Sequence, residues 1–448
     1  AKSYDTFGVF GPAIATGLDP APLSIRTVLN GAEKQNYPVS DMIFQPLRLV
    51  SLLSKDMTLM PGDVIACGTS VGVSAMREAN NVIEVSIEGV GTLSNPFNQE
   101  LPSEFLTGGK PKPARICVVG AGAIGGLLAA KLALAGNTVT VMDIGAHFAA
   151  IRDQGLKLIW EDGKEYVAKV KTAETPAEAG PQDVVVLAVK AHYLEQIVRG
   201  IETMFTPETV VLTVQNGLPW WYFQRLGGQY DGHPLQSLDP TGVLGKKIDA
   251  KRIIGCVVYP AAAVIAPGVI HHVEGDRFPI GELDGRESDR VKWLHDVFTA
   301  AGLKSRVLAD IRSEIWLKAW GNLSFNPISA LSHATLAEIC QFPETRQLAG
   351  AMMHEAQAVA EKLGVTFRHT VEKRIQGAEA VGAHKTSMLQ DVEAGRSLET
   401  EALIGSILEM ARLTDTPAPS IEAVYACVKL LNRMMLVQHS GVRMEKVA

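Results

Sequence analysis

The chain contains 448 residues, of which 47% are hydrophobic and 20% are charged, and its formal net charge is −6. This balance excludes a strongly basic nucleic-acid-binding protein, and no apolar run reaches the roughly 18 residues that a membrane span requires. Five cysteines stand singly, which favours buried thiols in the reducing cytoplasm. No metal site is predicted, because the adjacent His271 and His272 would point to opposite faces of a strand.

The first 107 residues predict a mostly β domain. Residues 25–29 and 82–87 have the composition of strands, and the Asn30-Gly31 pair after the first strand is typical of a hairpin turn. A further short strand is predicted at 64–67, after a turn, and one helix at 47–54. Short strands joined by glycine and proline turns favour an all-β arrangement around that helix.

Short motifs in this region follow the order and spacing of a known family. They are Lys2-Ser-Tyr-Asp-Thr-Phe-Gly8, Gly11-Pro12, Ser40-Asp41-Met-Ile-Phe44, Pro61-Gly-Asp-Val-Ile65 and Gly68-Thr69. On these residues the region resembles the C-terminal half of the fumarylacetoacetate hydrolase family, which cleaves carbon–carbon bonds with a bound divalent metal. The family's metal ligands and catalytic histidine lie upstream of this stretch, and only Lys2 and Thr69 carry over. We therefore expect a truncated domain without hydrolase activity, in which Lys2 also fits a solvated terminal lysine.

A glycine-rich motif follows the first strand of the next domain. The apolar strand 116–119 leads into the spacing G-x-G-x-x-G, and a helical pattern continues from there. The three glycines are Gly120, Gly122 and Gly125. In dinucleotide-binding folds the first makes a tight turn, the second admits a pyrophosphate and the third lets helix and strand pack closely. Free N–H groups at the helix N-terminus, here those of Ala123 and Ile124, then bind the anion.

Polar residues follow three further predicted strands of this domain. Asp143, Lys190 and Asn216 end or follow the strands 138–142, 183–189 and 209–214. Asp143 lies about 20 residues beyond the glycines, where a ribose-binding carboxylate is expected. Ligands bind at the carboxyl ends of parallel strands, so we predict that all three residues face the cofactor. Further short strands are predicted at 156–159 and 167–171, and the strands expected to complete this sheet are 253–258, 268–273 and 279–282.

The last third of the chain has helical periodicity. Helices are predicted at 311–323, 343–363, 370–377, 387–393, 398–413 and 420–435. Lys318 and Asn322 are four residues apart and therefore share one helix face. Asn326 continues that face if the helix passes the bend that Pro327 favours. A strand-rich domain followed by a helical one suggests a cleft between them.

The order of these motifs over about 320 residues matches a second family. The matching stretches are Gly120-Ala-Gly-Ala-Ile-Gly125, Val186-Leu-Ala-Val-Lys190, Val214-Gln-Asn-Gly217, the run 316–327, Ser387-Met-Leu-Gln-Asp391 and Glu399. They resemble the ketopantoate reductases, which reduce a 2-keto acid to a 2-hydroxy acid with a nicotinamide hydride. The resemblance implies that Lys318 is the general acid and that Glu399 holds Lys318 and the substrate hydroxyl. It also places Lys190 near the cofactor and implies the substrate-binding residues Asn216, Asn322, Asn326 and Ser387.

The chemistry of these residues agrees with that assignment. Hydride arriving at a ketone creates an alkoxide, which a positioned ammonium stabilises and protonates, typically with a 10²–10⁴-fold effect. Trp316 and Trp320 flank Lys318 on a helix that we expect to face the cleft. Structural interpretations remain open: Lys318 as a solvated helix lysine, Asn216 as a turn residue and Ser387 as a helix cap.

Two features depart from the family pattern. Its members usually carry, after the second strand, an arginine that pairs with the 2′-phosphate of NADP(H), and this chain has Ile144 there, preceded by Asp143. An acid at this place binds a ribose 2′-hydroxyl and repels a phosphate, so NAD(H) is favoured over the family's NADP(H). The aromatic run 218–222 after Asn216 is bulky enough to reshape the substrate pocket.

The resulting prediction is an α/β chain in three parts. A mostly β hydrolase-like fragment (1–107) precedes a Rossmann-like dinucleotide-binding domain (114–284) and an all-helical domain (285–448), with a proline- and glycine-rich linker between the first two. The expected activity is NAD(P)H-dependent reduction of 2-dehydropantoate or a related 2-keto acid, a reaction of pantothenate biosynthesis, by a cytoplasmic fusion protein and possible homodimer. Two alternatives stay open: a hydrolase with an accessory redox domain, and a non-catalytic cofactor-sensing module.

Overall fold

A computed structural model of the chain describes residues 10–68, 80–98 and 112–444. The chain divides into two compact units, residues 1–110 and 111–448. Lys2 and Thr69 lie outside the described residues. Within the described ranges, every helix is too short or too polar to cross a membrane.

The first unit contains one antiparallel sheet and one α-helix among its described residues. Its elements are β1 (Ser24–Leu29), β2 (Ala32–Pro38), a 3₁₀ turn (Val39–Asp41), α1 (Pro46–Asp56), β3 (Asn80–Ile87) and β4 (Gly91–Asn98), and the strand order is β2-β1-β3-β4. Asn30 and Gly31 join β1 to β2 with φ angles of +51° and +77°, the conformation that a two-residue hairpin favours. The predicted strand at 64–67 is wrong: Val64 is 67% exposed, and no described strand pairs with this stretch.

The second unit begins with alternating strands and helices. Its strands are β5 (Arg115–Val119), β6 (Thr138–Met142), β7 (Leu156–Ile159), β8 (Glu165–Ala168), β9 (Lys171–Ala173), β10 (Gln182–Leu187), β11 (Phe205–Thr213), β12 (Ile253–Cys256), β13 (Ala261–Ala266), β14 (Val269–Glu274) and β15 (Ile280–Glu282). The helices among them are α2 (Ala123–Leu134), α3 (Gly145–Gln154), α4 (Pro176–Ala179), α5 (Leu194–Ile197) and α6 (Val243–Lys247). Short 3₁₀ turns lie at Ala191–Tyr193, Ile201–Met204, Gly228–Tyr230 and Ala250–Arg252.

Seven of these strands form the main sheet, in the order β15-β12-β11-β10-β5-β6-β9. Adjacent strands in this sheet are parallel, except for β12 and β15, which are antiparallel to each other. The central strands are buried on both faces along most of their length, and such strands have continuous apolar runs, as at 184–187 in β10 and 210–212 in β11. After β5 the chain first adds β6 on one side of it and later adds β10 on the other side. The carboxyl ends of β5 and β10 therefore form the topological switch point, where such sheets bind ligands.

Two predicted strands lie elsewhere than expected. Residues 268–273 do not complete the main sheet, because β14 pairs with β7 and β13 in a separate sheet of order β13-β14-β7-β8. The predicted strand 167–171 is divided between β8 in that second sheet and β9 at the edge of the main sheet. The partner of a strand depends on contacts distant in sequence, which a local apolar pattern does not specify.

The remainder of the second unit is helical. Its elements are α7 (Asp289–Ala300), α8 (Ile311–Ser332), α9 (Leu336–Gln341), α10 (Pro343–Lys362), α11 (Val371–Ala380), α12 (Ser387–Glu393), a π-helical stretch (Glu401–Gly405, hereafter the π segment), α13 (Ser406–Leu413) and α14 (Pro419–Gln438). Asp310 caps the start of helix α8 by accepting the N–H of Ser313 at 2.9 Å, and the helix continues through Pro327. The stretch 398–413 is not one α-helix as predicted, because its first half contains the π segment and α13 begins only at Ser406.

Candidate active site

The glycine motif brings β5, α2 and the end of β10 into close contact. Gly120 has a φ of +94°, and a Cβ there would lie 2.6 Å from Cγ1 of Val189. A Cβ on Gly125 would lie 1.9 Å from the carbonyl oxygen of Gly120. Any side chain at either position would therefore separate the helix from the sheet, as the spacing predicts.

The start of α2 is open to a ligand. Apart from Gly122 and its two chain neighbours, the described residues have no heavy atom within 4 Å of the position that a Cβ on Gly122 would occupy. Gly122 caps the helix without a side chain, and the first N–H groups of a helix, here those of Ala123 and Ile124, have no acceptor within it. The turn therefore fits the pyrophosphate of a dinucleotide, whose charge would meet the positive end of the helix dipole.

Asp143 is tied to this turn by backbone hydrogen bonds. Its Oδ2 accepts the N–H of Ala121 at 2.7 Å, and its Oδ1 accepts that of Ile144 at 2.8 Å. The carboxylate is partly buried, whereas the Ile144 side chain is 74% exposed. Each carboxylate oxygen keeps lone-pair capacity for a ribose hydroxyl, but Asp143 also has a structural role in holding the glycine turn.

His147, on the first turn of α3, is a residue that the sequence reasoning missed. Its Nδ1 accepts the N–H of Gly268 at 3.0 Å, which assigns the ring hydrogen to Nε2. Nε2 lies 2.9 Å from the carbonyl oxygen of Ala121 and donates to it. A polar residue one helical turn after Asp143 is the signal that could have drawn attention to it.

Lys318 lies on α8 and is held by the strand-rich part of the unit. Its Nζ donates to Oδ1 of Asn216 at 2.6 Å and to the carbonyl oxygen of Val258. Burial disfavours the ammonium and lowers the pKa of Lys318 to about 8, while Cys256 and Glu399 partly oppose that shift. The ammonium is thus fixed by two acceptors, and its pKa lies closer to neutral pH than that of a solvated lysine.

Glu399 lies near Lys318 without a direct hydrogen bond to it among the described residues. Burial raises the pKa of Glu399; Lys190 and Lys318 lower it, and Asp391 raises it further. The resemblance implies that Glu399 holds Lys318, but in the structure Asn216 and Val258 do so. Glu399 influences Lys318 through space, by charge.

The other predicted substrate residues extend from Lys318 along α8. Asn322 lies one turn further and is partly buried, and Asn326 is buried one turn beyond it, because the helix continues past Pro327. Nδ2 of Asn326 lies 3.5 Å from Oγ of Ser387, a long hydrogen bond.

Ser387 is exposed at the start of α12, and its hydroxyl is not the helix cap. Thr386 caps the helix instead, since its hydroxyl accepts the N–H of Leu389 at 3.3 Å. The alternative interpretation of Ser387 as a cap is therefore wrong, and its hydroxyl is available beside Asn326.

Lys190 joins the strand-rich and helical parts of the unit. Its Nζ lies 2.7 Å from Oδ2 of Asp391 and donates to the carbonyl oxygen of Ser397 at 2.9 Å. Asp391 also pairs with Arg396 at 2.8 Å. Asp391 stands in the motif that begins at Ser387, yet only the structure shows that it is the partner of Lys190.

The aromatic residues near the motifs belong to the core. Trp316 and Trp320 are fully buried and donate, at 2.7 Å each, to the hydroxyl of Tyr222 and the carbonyl oxygen of Met353. They lie two positions from Lys318, which places them on the opposite side of the α-helix, in the core. The aromatic run after Asn216 is likewise buried from Trp220 onwards, in the core rather than in a pocket.

The described residues contain no group of three or more His, Cys, Asp or Glu side chains that could hold a metal ion. His272 stacks on Trp160 with ring centroids 4.1 Å apart, and its Nε2 contacts the carbonyl oxygen of Gly275. These contacts give His272 a structural role.

Comparison with known families separates the two units. The ketopantoate reductase PanE/ApbA model matches residues 116–285, and the ketopantoate reductase PanE/ApbA C-terminal model matches residues 310–432. The fumarylacetoacetate hydrolase C-terminal model matches residues 1–98. A protein of Archaeoglobus fulgidus without an assigned function is 47% identical to this chain over 95 residues, which are 38% of its own length.

Two relatives match the second unit over nearly their whole length. A 2-dehydropantoate 2-reductase of Mesorhizobium japonicum is 52% identical over 318 residues, which are 71% of this chain and 97% of that protein. A crystal structure described as a putative ketopantoate reductase from Ralstonia solanacearum is 38% identical, with a TM-score of 0.69, and the match covers 72% of this chain and 99% of that one.

Proposed function

This chain belongs to the ketopantoate reductase family and is an NAD(P)H-dependent 2-keto-acid reductase, and we propose that Lys318 is its general acid. We propose 2-dehydropantoate or a close relative as the substrate. The observation that carries this proposal is the setting of Lys318, whose partly buried ammonium is aimed by Asn216 and Val258.

The residues around Lys318 account for the chemistry. When bound, the nicotinamide cofactor supplies the hydride that reduces the keto carbon. Lys318 stabilises the negative charge that develops on the keto oxygen and transfers its proton there. Its lowered pKa of about 8 makes it a stronger acid than an ordinary lysine while leaving it mostly protonated at neutral pH.

We assign substrate binding to the polar residues that extend from Lys318. Asn216, Asn322, Asn326 and Ser387 offer amide and hydroxyl groups that orient a carboxylate and a hydroxyl without adding a competing charge. Glu399 is proposed to bind the substrate hydroxyl. Because burial raises the pKa of Glu399, it takes up a proton more readily than an ordinary glutamate.

For the cofactor, we assign the pyrophosphate to the backbone at Gly120, Gly122, Ala123, Ile124 and Gly125, and place Lys190 and Asn216 at the nicotinamide end. Asp143 is proposed to accept a ribose hydroxyl and, with Ile144, to favour NADH over NADPH. The family's habit of using NADPH argues in the other direction.

Initial rates with a panel of 2-keto acids, each with NADH and NADPH, test this function. We expect 2-dehydropantoate or a related branched 2-keto acid to give the highest kcat/KM. Tight cofactor binding without turnover of any 2-keto acid would instead favour a cofactor-sensing module.

The remaining proposals concern the whole chain. We infer a reductase fused to a catalytically silent hydrolase-like unit, acting in pantothenate biosynthesis in the cytoplasm, as a homodimer. Light scattering coupled to size-exclusion chromatography gives the molar mass that decides the last of these points.

A further inference from the structure

The turn that carries Asn216 rests on the π segment. The N–H of Leu218 donates to the carbonyl oxygen of Ala402 at 2.9 Å. Gly217 makes this approach possible, since its φ is +82° and a Cβ there would lie 2.2 Å from the same oxygen. Asn216 is therefore held directly beside a backbone anchor on another element.

The π geometry supplies the carbonyl that forms this anchor. In an α-helix the oxygen of Ala402 would accept the N–H of Ser406, four residues later. In the π segment the N–H of Ser406 donates instead to the oxygen of Glu401, five residues earlier. The oxygen of Ala402 is thereby left for Leu218 and for the Ser406 hydroxyl, at 3.1 Å. Single π turns of this kind are frequent at functional sites.

Side chains from α14 hold Glu401 at the start of the π segment. The hydroxyl of Tyr425 lies 2.7 and 2.8 Å from the two carboxylate oxygens, and Nζ of Lys429 lies 3.0 Å from Oε1. Gly405 leaves room for the carboxylate, because a Cβ there would lie 2.1 Å from Oε2. The carboxylate of Glu401 is therefore fixed over the first turn of the π segment, and we call its contacts with Tyr425 and Lys429 the clamp.

We propose that Glu401 and Tyr425 are positioning residues, which maintain the π segment and thereby hold Asn216 against the ammonium of Lys318. The same segment begins two residues after Glu399, so one element places two groups that act on Lys318. This inference rests on the proposed role of Lys318 as the acid.

The groups that face Nζ of Lys318 determine what loss of the clamp would do. They are the amide of Asn216, the carbonyl of Val258, the thiol of Cys256 and the carboxylate of Glu399. Withdrawal of Asn216 or Glu399 removes a hydrogen bond or a negative charge that favours the ammonium, so the pKa of Lys318 falls further. The basic limb of the kcat/KM profile then moves to lower pH.

The test uses Tyr425→Phe, Glu401→Ala and Glu401→Gln in the full chain. For the first two we expect kcat to fall roughly 10- to 100-fold with nearly unchanged cofactor affinity, as a misplaced acid implies. We expect their basic limb to move down by about one pH unit. Glu401→Gln keeps an acceptor for Tyr425, so we expect its kcat and its basic limb to lie closer to the wild-type values than those of Glu401→Ala. Tyr166→Phe, on β8, is the matched control, with wild-type kinetics.

Several outcomes would overturn the inference. One is that Tyr425→Phe and Glu401→Ala keep the wild-type kcat and the wild-type basic limb of the pH profile. Another is that their kcat falls while the basic limb stays in place, because a purely structural defect leaves the pKa of Lys318 unchanged. If Glu401→Ala does not fold, Tyr425→Phe, which loses a single oxygen, decides alone. Lys318→Ala is measured beside them: full activity in that variant refutes the proposed acid itself, whereas an inactive Lys318→Ala with wild-type clamp variants refutes only the clamp.

Discussion

At the scale of single residues, Lys318 illustrates how surroundings alter ordinary side-chain chemistry. A solvated helix lysine has a pKa near 10.4 and contributes little to stability or rate. Here, burial lowers the pKa to about 8, and two acceptors from the strand-rich part of the unit fix the ammonium. The neighbours of Lys318 in sequence do not provide this setting, because Trp316 and Trp320 are in the core.

Replacement of Lys318 by alanine tests its role directly. The developing alkoxide would lose its proton donor, so we expect kcat to fall by roughly 10²–10⁴-fold. Cofactor affinity should be nearly unchanged, because the glycine turn and Asp143 lie elsewhere. Steady-state kinetics on the best 2-keto acid measure this, with Lys373→Ala, an exposed lysine on α11, as the control. A decrease of less than tenfold in Lys318→Ala would rule out Lys318 as the acid.

The pH dependence follows from the same pKa. Lys318 must carry its proton to donate it, and that proton is lost as the pH rises through about 8. We therefore expect kcat/KM to be level below that pH and to fall tenfold for each unit above it. Cofactor dissociation constants over the same range control for lost binding. A level profile up to pH 10 would contradict this prediction.

Asp143 and Ile144 carry the prediction of cofactor preference. The wild-type protein should bind NADH more tightly than NADPH, because a carboxylate repels the 2′-phosphate. Ile144→Arg places a positive charge at an exposed position beside Asp143 and should improve NADPH binding about tenfold. Ile43→Arg adds the same charge in the first unit and is the control. Tighter NADPH binding by the wild-type protein would refute the preference.

At the scale of elements, the contact between α2 and β5 depends on small residues more than on apolar pattern. A Cβ on Gly125 would collide with backbone, whereas one on Gly122 would meet open space. The motif predicts a ligand-facing role for the second glycine and a packing role for the third, and the surroundings of Gly122 and Gly125 agree with that division.

These two glycines make a matched pair of variants. Gly125→Ala should lower the free energy of unfolding by about 3 kcal/mol, the upper part of the usual overpacking range, because a backbone oxygen cannot move aside. Gly122→Ala should leave stability nearly unchanged and weaken cofactor binding, because its methyl group would occupy the ligand's side of the turn. Urea denaturation and cofactor titration measure the two effects. Equal stability losses in both variants would contradict the division of roles.

At the scale of the whole molecule, the two units differ in how completely they bury their apolar residues. The main sheet and α8 of the second unit are largely buried, whereas α1 in the first unit buries none of its 11 residues. The first unit matches the C-terminal model of the fumarylacetoacetate hydrolase family. That the first unit forms no hydrolase active centre stays a prediction.

We expect no hydrolysis of acylpyruvates by the 448-residue chain when magnesium or manganese is added. Hard cations need several oxygen ligands, and the described residues bring no group of three or more acidic, His or Cys side chains together. An active hydrolase of the family, assayed under the same conditions, is the positive control. Metal-dependent turnover by this chain would show that the first unit is active.

Local pattern was sufficient for much of the fold. Strand, glycine turn and helix at 115–134 follow from apolar runs and glycine spacing, and the hairpin at Asn30 follows from turn chemistry, because backbone sterics govern both. The shared face of Lys318 and Asn322 follows from helical periodicity in the same way. Family resemblance, rather than pattern, was needed to relate Ser387 and Glu399 to them.

Only the tertiary structure decided which groups touch. The contact of Asn216 with Lys318, the pairing of Lys190 with Asp391 and the anchor at Ala402 each join residues more than 100 positions apart. The second sheet and the π segment also lie beyond local pattern, because strand partners and helix registers are selected by packing and not by the residues alone. The pKa of Lys318 is decided at the same level, since burial and neighbouring charge exist only in the folded chain.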